Sequence, residues 1–450
     1  MNVGFVSLGC SKNLIDTEMI IGVFKDNNFN IVNNPEEADV IVINTCGFIV
    51  SAKEEAINTI LEMAEYKNTG KCKMLIVTGC LVERYKEELE KEIPEVDIFL
   101  KYSDYAEANG NSKEIFKNVL KEITEKLENK EQEEYKNTEL DFMNRVITTG
   151  KDYAYLRIAE GCSNRCTYCA IPYIRGPFVS RKIEDIVKEA KMLVESGRKE
   201  LILIAQDTSK YGIDIYGEVK LAELLQELCK IEDLKWIRFL YTYPEDITDE
   251  LIKVVKENDK ICKYFDIPIQ HISNKVLKRM NRHCTGDSIR NTIKKLRQEI
   301  PNVIIRTTVM VGFPGETKED FEELYNFVEE TKFDKLGCFT YSKEDGTPAE
   351  RLDNQIHGNT KKTRYNKIMK LQQEISSENE KKLLGKQLEI LVENITFDKK
   401  YYVGRTYMDV PEIDGLSYIK NDTKEDLIGK FVKARVIEVK DYDLILELIK

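Results

Sequence analysis

The first hundred residues alternate short apolar runs with longer stretches in which apolar residues recur every three or four positions. Val3–Ser7, Ala38–Asn44 and Met74–Thr78 read as buried strands. Asn13–Lys25, with Leu14, Ile15, Met19, Ile20 and Phe24 on one face, reads as a helix, as do Ser51–Tyr66 and Val82–Ile93. Strands and helices in strict alternation predict a doubly wound parallel sheet. Residues 108–147 lose the pattern. They read as a polar helix and then a linker with little core, and the Lys- and Glu-rich run Lys121–Lys136 is taken as a solvated face.

From Asp152 the alternation returns with longer elements. Strands are expected at Tyr153–Ala159, Glu200–Ala205, Trp236–Tyr241, Tyr264–Ile269, Val303–Val311 and Lys335–Tyr341. Helices fall between them at Ile183–Ser196, Leu221–Ile231, Thr248–Asn258, Gly286–Glu299 and Lys318–Thr331. Six such units predict an incomplete (β/α)6 barrel with its chemistry at the strands' carboxyl ends. A basic, then acidic helix covers 361–384. The rest changes to short strands with glycine turns: Gln387–Ile395, Tyr401–Tyr407, Leu416–Ile419, Phe431–Val439 and Leu444–Leu448. These predict a small OB-like β-barrel. The expected divisions are thus 1–107, 108–147, 148–380 and 381–450, an α/β chain ending in a β-barrel.

Composition narrows the class. The 450 residues are 42% hydrophobic and 33% charged, enough for several buried cores. No run of 18 apolar residues suggests a membrane span, and the start reads as a first strand, not a signal peptide. A cytoplasmic setting is expected, where the 11 cysteines serve as ligands or catalysts sooner than as disulfides. The net charge of −11 weakens any reading dominated by nucleic-acid phosphates and suits a basic protein partner. It equally suits plain solubility. From Gly385 onward, 13 acidic residues face 11 basic ones, so the terminal barrel is poorly suited to RNA.

The cysteines carry the chemistry. Cys162, Cys166 and Cys169 form a C-x3-C-x2-C run just after the first barrel strand. Three thiolates on one loop suit a [4Fe–4S] cube whose fourth iron is open to a ligand. Structural zinc would ask for a fourth Cys or His nearby, and His271 and His283 are far downstream. Cys10, Cys46 and Cys80 each follow an apolar strand of the first sheet, at the edge where such folds bind ligands. Each adjoins a glycine, Gly9, Gly47 or Gly79, which lets the backbone come close to a bulky cluster. A second cluster is expected there, against the alternative of three inert buried thiols. Cys72 precedes its strand and is excluded, and Cys229, Cys262, Cys284, Cys338 and Trp236 read as packing. Gln206 and Asp207 end the second barrel strand. Gly312–Glu316 is a tight turn after the fifth, and Gln270-His271 follows the fourth. Each is a candidate for cofactor contact or for an ordinary loop.

Taken together, these residues resemble the radical S-adenosylmethionine (SAM) methylthiotransferases over the whole chain. The match runs through Gly4–Leu14, Asn44–Ile49, Gly79–Tyr85, Glu160–Cys169, Arg175-Gly176, Gln206–Gly212, Pro268–His271, Gly312–Glu316 and Gly404–Gly415. The last stretch resembles the terminal TRAM domain of the protein-modifying branch. The resemblance implies addition of a methylthio group to the β-carbon of an aspartate in ribosomal protein S12. It implies two [4Fe–4S] clusters, SAM, and an electron donor protein. Tyr168, Gln206, Gly312 and Glu316 are the residues it suggests for cofactor binding. The cluster on Cys162, Cys166 and Cys169 would cleave SAM to a radical that takes hydrogen from the substrate, and the cluster on Cys10, Cys46 and Cys80 would provide sulfur. Three rivals stand. A tRNA methylthiotransferase is opposed by the acidity and by Met408–Gly415. An iron–sulfur electron carrier would need no SAM. An RNA-binding protein would act through the terminal barrel.

Overall fold

In the computed structural model the described residues are 1–106, 111–128, 134–423 and 425–449. They divide into two compact units. The first contains Met1–Thr148, Glu160–Ser163 and Cys169–Val179; the second contains Thr149–Ala159, Asn164–Tyr168 and Ser180–Lys450. The expected division at 107/108 lies outside the described residues.

The first unit is built on five parallel strands: β1 (Asn2–Ser7), β2 (Asn30–Val32), β3 (Val40–Thr45), β4 (Met74–Gly79) and β5 (Ile98–Lys101). Their order is β2-β1-β3-β4-β5, which reverses direction between β1 and β3, the place where doubly wound sheets bind ligands. Every residue of β3 and β4 is buried, as unbroken apolar runs in a two-sided parallel sheet require. The edge strands β2 and β5 are only three and four residues long, too short for a periodic signal, and sequence reasoning missed both.

Residues 112–128 and 134–148 correct the expectation of a linker with little core. The helix Ser112–Glu128 buries Phe116, Val119, Leu120 and Ile123, and Tyr105 meets Phe116 at 5.6 Å between ring centroids. Beyond it, Arg145 pairs with Glu18 at 2.7 Å, with both side chains buried. Thr148 donates to the same carboxylate through its backbone N–H at 2.7 Å and its hydroxyl at 3.1 Å. The charged residues Lys121, Glu122, Glu125 and Lys126 lie on the helix's exposed face and mask its i, i+3, i+4 apolar spacing.

The second unit contains six barrel strands: β6 (Tyr153–Arg157), β7 (Glu200–Ile204), β8 (Trp236–Phe239), β9 (Tyr264–Gln270), β10 (Ile304–Val311) and β11 (Lys335–Thr340). They form two parallel runs, β8-β7-β6 and β9-β10-β11, joined by a parallel bridge between Ile237 and Ile261. Helices follow them as expected, and the ring is left open. The five terminal strands, β12 (Gln387–Ile395), β13 (Tyr401–Arg405), β14 (Ser417–Lys420), β15 (Phe431–Lys440) and β16 (Asp443–Leu448), close into a barrel in the order β12-β13-β14-β16-β15. Ile390, Val392, Ile419, Ala434, Val436 and Leu446 fill it.

The chain from Arg405 through the β13–β14 connection is packed against the amino-terminal ends of the six-stranded ring. Arg405 bonds Glu200, the first residue of β7, at 2.7 Å, and Glu200 also accepts from Arg238 at 2.8 Å. Arg238 donates to the carbonyl of Tyr407 at 2.8 Å. Tyr264 donates to Asp414 at 2.8 Å, and Lys335 pairs with Asp409 at 3.1 Å. Met408, Asp409 and Val410 are buried. The acidic residues Asp409 and Asp414, which count in the sequence as a mark of substrate choice, are engaged by partners inside the protein.

Candidate cluster and cofactor site

Three loops of the first unit bring Cys10, Cys46 and Cys80 to one edge of its sheet. The parallel register pairs Ser7 with Asn44 and Thr45 with Gly79, so β1, β3 and β4 end level with one another. Cys46 is the residue after β3, and Cys80 opens the helix Cys80–Glu92 directly after β4. Burial pushes the Cys46 thiol up to about 11, and the neighbouring Cys80 and Cys10 add to the rise. Burial likewise raises Cys80, with Arg175 opposing it and Cys10 reinforcing it. Cys46 therefore feels both other thiols, and Cys80 feels Cys10.

The three glycines are required by close approach. A Cβ on Gly9 would stand 2.7 Å from Cys46 Cβ and 3.0 Å from its Sγ, and one on Gly47 would stand 2.7 Å from Leu81 Cα. Gly79 has φ +100° and lies against Asn44 and Thr45. Among the described residues, no three Cys, His, Asp or Glu side chains are grouped tightly enough to chelate one ion. A cube asks for a wider set, because each thiolate binds a different iron. Three soft sulfur donors on converging loops, with no side chain on the adjoining glycines, fit such a group.

Asn13, fully buried, ties the loops together. Its amide donates to the carbonyls of Leu8 at 3.1 Å and Thr45 at 3.0 Å, and its own carbonyl accepts from Asn44 at 2.9 Å. Its side-chain oxygen accepts from Arg175 at 2.5 Å and from the Cys80 thiol at 3.5 Å. Arg175 also pairs with Asp16 at 2.7 Å and Glu160 at 3.5 Å, and lies 4.0 Å over the Tyr102 ring. Ala170 and Ile174 pack against Cys80 as a small apolar cluster. Within this unit, then, the segment directly after Cys169 is docked on one of the distant cysteines. Sequence reasoning quoted Arg175 only as part of a motif; the Arg-Gly pair at 175–176 was the available signal.

The C-x3-C-x2-C residues are shared, with Cys162 and Cys169 in the first unit and Cys166 in the second. Gly161 (φ +73°) is crowded by the backbone of Gly176 and Pro177, and the Cys162 N–H donates to Gly176 at 3.1 Å. The Cys166 sulfur lies 3.8 Å from the Tyr243 hydroxyl, and Arg282 stacks 4.1 Å over that tyrosine's ring. Between the cysteines, Asn164 donates to the buried Asp207 at 2.7 Å. Asp207 also accepts from Ser209 N at 3.1 Å and Oγ at 2.5 Å. Burial raises its carboxyl, against those hydrogen bonds.

Tyr168 meets Phe313, in the Gly312–Glu316 turn, edge-on at 6.4 Å. The Glu316 carboxylate faces inward. It accepts from the Gly312 N–H, pairs with Arg364 at 2.9 Å and lies 3.5 Å from His271 Nε2. Gly312 (φ +74°) lies against the Lys361 stem. His271 Nδ1 accepts from the Ser273 N–H at 3.0 Å, which leaves its proton on Nε2. Glu316 is thus held by Gly312 of the turn and by Arg364, and His271 by Ser273, while His271 Nε2 and Glu316 Oε1 make no hydrogen bond among the described residues. Gln206 follows β7 and is half-buried. Cys72 is buried ahead of β4, donating toward Met74 O at 3.4 Å. Cys262, Cys284 and Cys338 are buried and Cys229 half-buried, and Trp236 packs on Phe431 at 4.8 Å.

Comparison with known proteins agrees with this architecture. Residues 156–328 match the radical SAM superfamily, 2–101 match the uncharacterized protein family UPF0004, and 384–449 match the TRAM domain. The chain is 64% identical to the ribosomal protein uS12 methylthiotransferase RimO of Alkaliphilus oremlandii, covering 100% of this chain and 99% of that one. It is 51% identical to the RimO of Acetivibrio thermocellus, covering 99% and 98%. Among solved structures, the radical SAM methyltransferase TsrM of Kitasatospora setae shares the fold. It aligns at TM-score 0.56 and 11% identity, over 77% of this chain and 76% of that one. The radical SAM enzyme OxsB aligns at TM-score 0.51 and 14% identity, over 84% and 56%. Among the described residues, no helix is long and apolar enough to cross a membrane.

Proposed function

The chain belongs to the ribosomal protein uS12 methylthiotransferase RimO family, and from that premise we propose how its residues are assigned to the reaction. The enzyme is a radical SAM methylthiotransferase acting on ribosomal protein uS12. Cys162, Cys166 and Cys169 hold one [4Fe–4S] cluster and Cys10, Cys46 and Cys80 a second, and the target is the β-carbon of an aspartate. Bound together, the clusters and SAM supply radical cleavage of an unactivated C–H bond and a source of sulfur, chemistry that side chains alone do not offer.

The chain's own residues bind, orient and exclude. Gly9, Gly47 and Gly79 let the three loops close around the auxiliary site. Asn13 holds the loops at a fixed spacing, and Ala170 and Ile174 cover Cys80 with apolar surface. Raised thiol values at Cys46 and Cys80 mean that loading the site releases protons. Asn164, fixed by Asp207, and Arg282, stacked on Tyr243, shape the loop around Cys166. Tyr168 and the Gly312–Glu316 turn, packed on each other through Phe313, are the proposed cofactor-side wall; Gln206 is assigned to the same role from its place after β7. A separate reducing protein is the proposed electron source.

The observation that carries this reading is the convergence of Cys10, Cys46 and Cys80 at the ends of β1, β3 and β4, beside the segment that follows Cys169. Anaerobic reconstitution tests it: about eight irons per chain are expected for two cubes. Supplied with SAM and reductant, the protein should convert uS12 in small ribosomal subunits, so that CH3S replaces one hydrogen, and leave tRNA unchanged. Four irons, or modification of tRNA alone, would overturn it.

A further inference from the structure

Arg175 has no assigned part in the reaction, yet its surroundings are specific. A buried guanidinium is tolerated only when its charge and N–H groups are met. Here Asp16 (2.7 Å) and Glu160 (3.5 Å) take Nη1, and the Tyr102 ring lies 4.0 Å beneath the plane. Nη2 bonds the Asn13 oxygen at 2.5 Å and reaches the Cys80 sulfur at 3.5 Å. Charge neutralisation accounts for one side of the fork. The other side is directed at a thiol and at the residue that spaces the thiol loops.

We propose that Arg175 is a positioning residue for the auxiliary centre, donating to the Cys80 sulfur and, with Asp16, setting the reduction potential of the cluster held by Cys10, Cys46 and Cys80. The proposal rests on the reading that those thiols hold a cluster. Hydrogen bonds to ligand sulfurs and nearby charge are among the features that set such potentials. Reduction adds negative charge, so a neighbouring cation favours the reduced state and raises the potential, whereas an anion lowers it. Arg175 and Asp16 therefore act with opposite sign. A residue that merely pinned Ile171–Ile174 against the first sheet would produce no such opposition.

The test uses the full chain, with Cys162, Cys166 and Cys169 changed to Ala so that a single centre is read by electron paramagnetic resonance during reductive titration. On that background, Arg175→Gln should lower the midpoint by at least one tenfold step in the reduction equilibrium, about 59 mV for one electron. Arg175→Lys, which keeps a charge and loses the fork, should fall between it and the parent. Asp16→Asn, of equal shape, should move the midpoint upward. Should Arg175→Gln fail to hold iron, the sign of the Asp16→Asn shift decides alone: upward supports the proposal, unchanged or downward overturns it. With iron retained, Arg175→Gln and Asp16→Asn both at the parent potential, or both displaced the same way, also overturn it. A parent that holds no cluster on this background refutes the two-centre reading instead, and the unmodified chain would then bind about four irons.

Discussion

Arg405, in the terminal barrel, donates to Glu200 at the foot of β7 at 2.7 Å, and neither side chain is more than 1% exposed. Glu200 holds a second guanidinium, Arg238, at 2.8 Å. Burial alone would raise the Glu200 carboxyl, but Arg405 and Arg238 outweigh burial and hold it below its ordinary value. Arg405 is held by a second carboxylate as well, Glu393 at 2.6 Å, so the two buried cations do not depend equally on Glu200. Glu200→Gln leaves the fully buried Arg238 facing a neutral amide, while Arg405 keeps Glu393, and should cost about 3–5 kcal/mol. Arg405→Met leaves Glu200 paired with Arg238 and the displaced Glu393 at a partly exposed position, and should cost about 1–3 kcal/mol. Urea unfolding at neutral pH compares them, and an equal or smaller loss for Glu200→Gln would contradict the arrangement.

That junction also marks where the sequence stops being legible. The strands β3 and β4 announce themselves because a two-sided parallel sheet demands unbroken apolar runs, and the cysteines follow from their place at those strands' ends. Arg405 and Glu200 are 205 positions apart and Arg175 and Asp16 are 159 apart, and no local period records such a pairing. The Ser112–Glu128 helix failed for a different reason. Its apolar residues keep helical spacing, but Lys and Glu between them dominate the composition, so an amphipathic helix read as a solvated one. The Gly404–Gly415 stretch is legible as a motif, but acidity in a sequence does not say whether a carboxylate faces water or a buried lysine, so the partners of Asp409 and Asp414 are not.

Gly47 is a steric requirement of the proposed auxiliary site. A methyl group there would meet Leu81 N at 2.8 Å and the Cys80 carbonyl carbon at 2.9 Å. These are backbone atoms at the start of a helix and cannot swing aside. Gly47→Ala should cost about 1–3 kcal/mol and reduce the iron bound after reconstitution. Gly358→Ala is the control, since an added Cβ there meets nothing within 4 Å, and it should change stability by less than about 0.5 kcal/mol. Full iron content in Gly47→Ala would show that the loops can separate without losing the site.

The two cysteine sets should be separable in one experiment. Changing Cys10, Cys46 and Cys80 together to Ala should lower the iron content from about eight to about four per chain. The variant should still release 5′-deoxyadenosine from SAM and should form no methylthio product. Changing Cys162, Cys166 and Cys169 should abolish both. Iron and sulfide assays with chromatography of the nucleoside products read each outcome. Retention of methylthio product by the first variant would remove the auxiliary role from those thiols.

Glu380, at the end of the helix Gly358–Lys381, makes stability depend on pH. It is buried, and its Oε2 meets no hydrogen-bond partner among the described residues. Burial pushes its carboxyl up to about 7; Lys335 opposes the rise, and Asp409, Asp443 and Asp441 add to it. An unfolded glutamate titrates near 4.3, so between roughly pH 4.3 and 7 the folded chain binds the extra proton. The group's contribution is therefore intact below the unfolded value and is lost as pH rises through about 7. Glu380→Gln removes that dependence. It should be more stable than the parent at pH 8 by about 1 kcal/mol, allowing for solvent screening at the barrel rim, and the difference should vanish near pH 4. Thermal unfolding of both proteins across pH 4–8 measures it, and a constant offset over that range would show that the carboxylate is already satisfied in the folded chain.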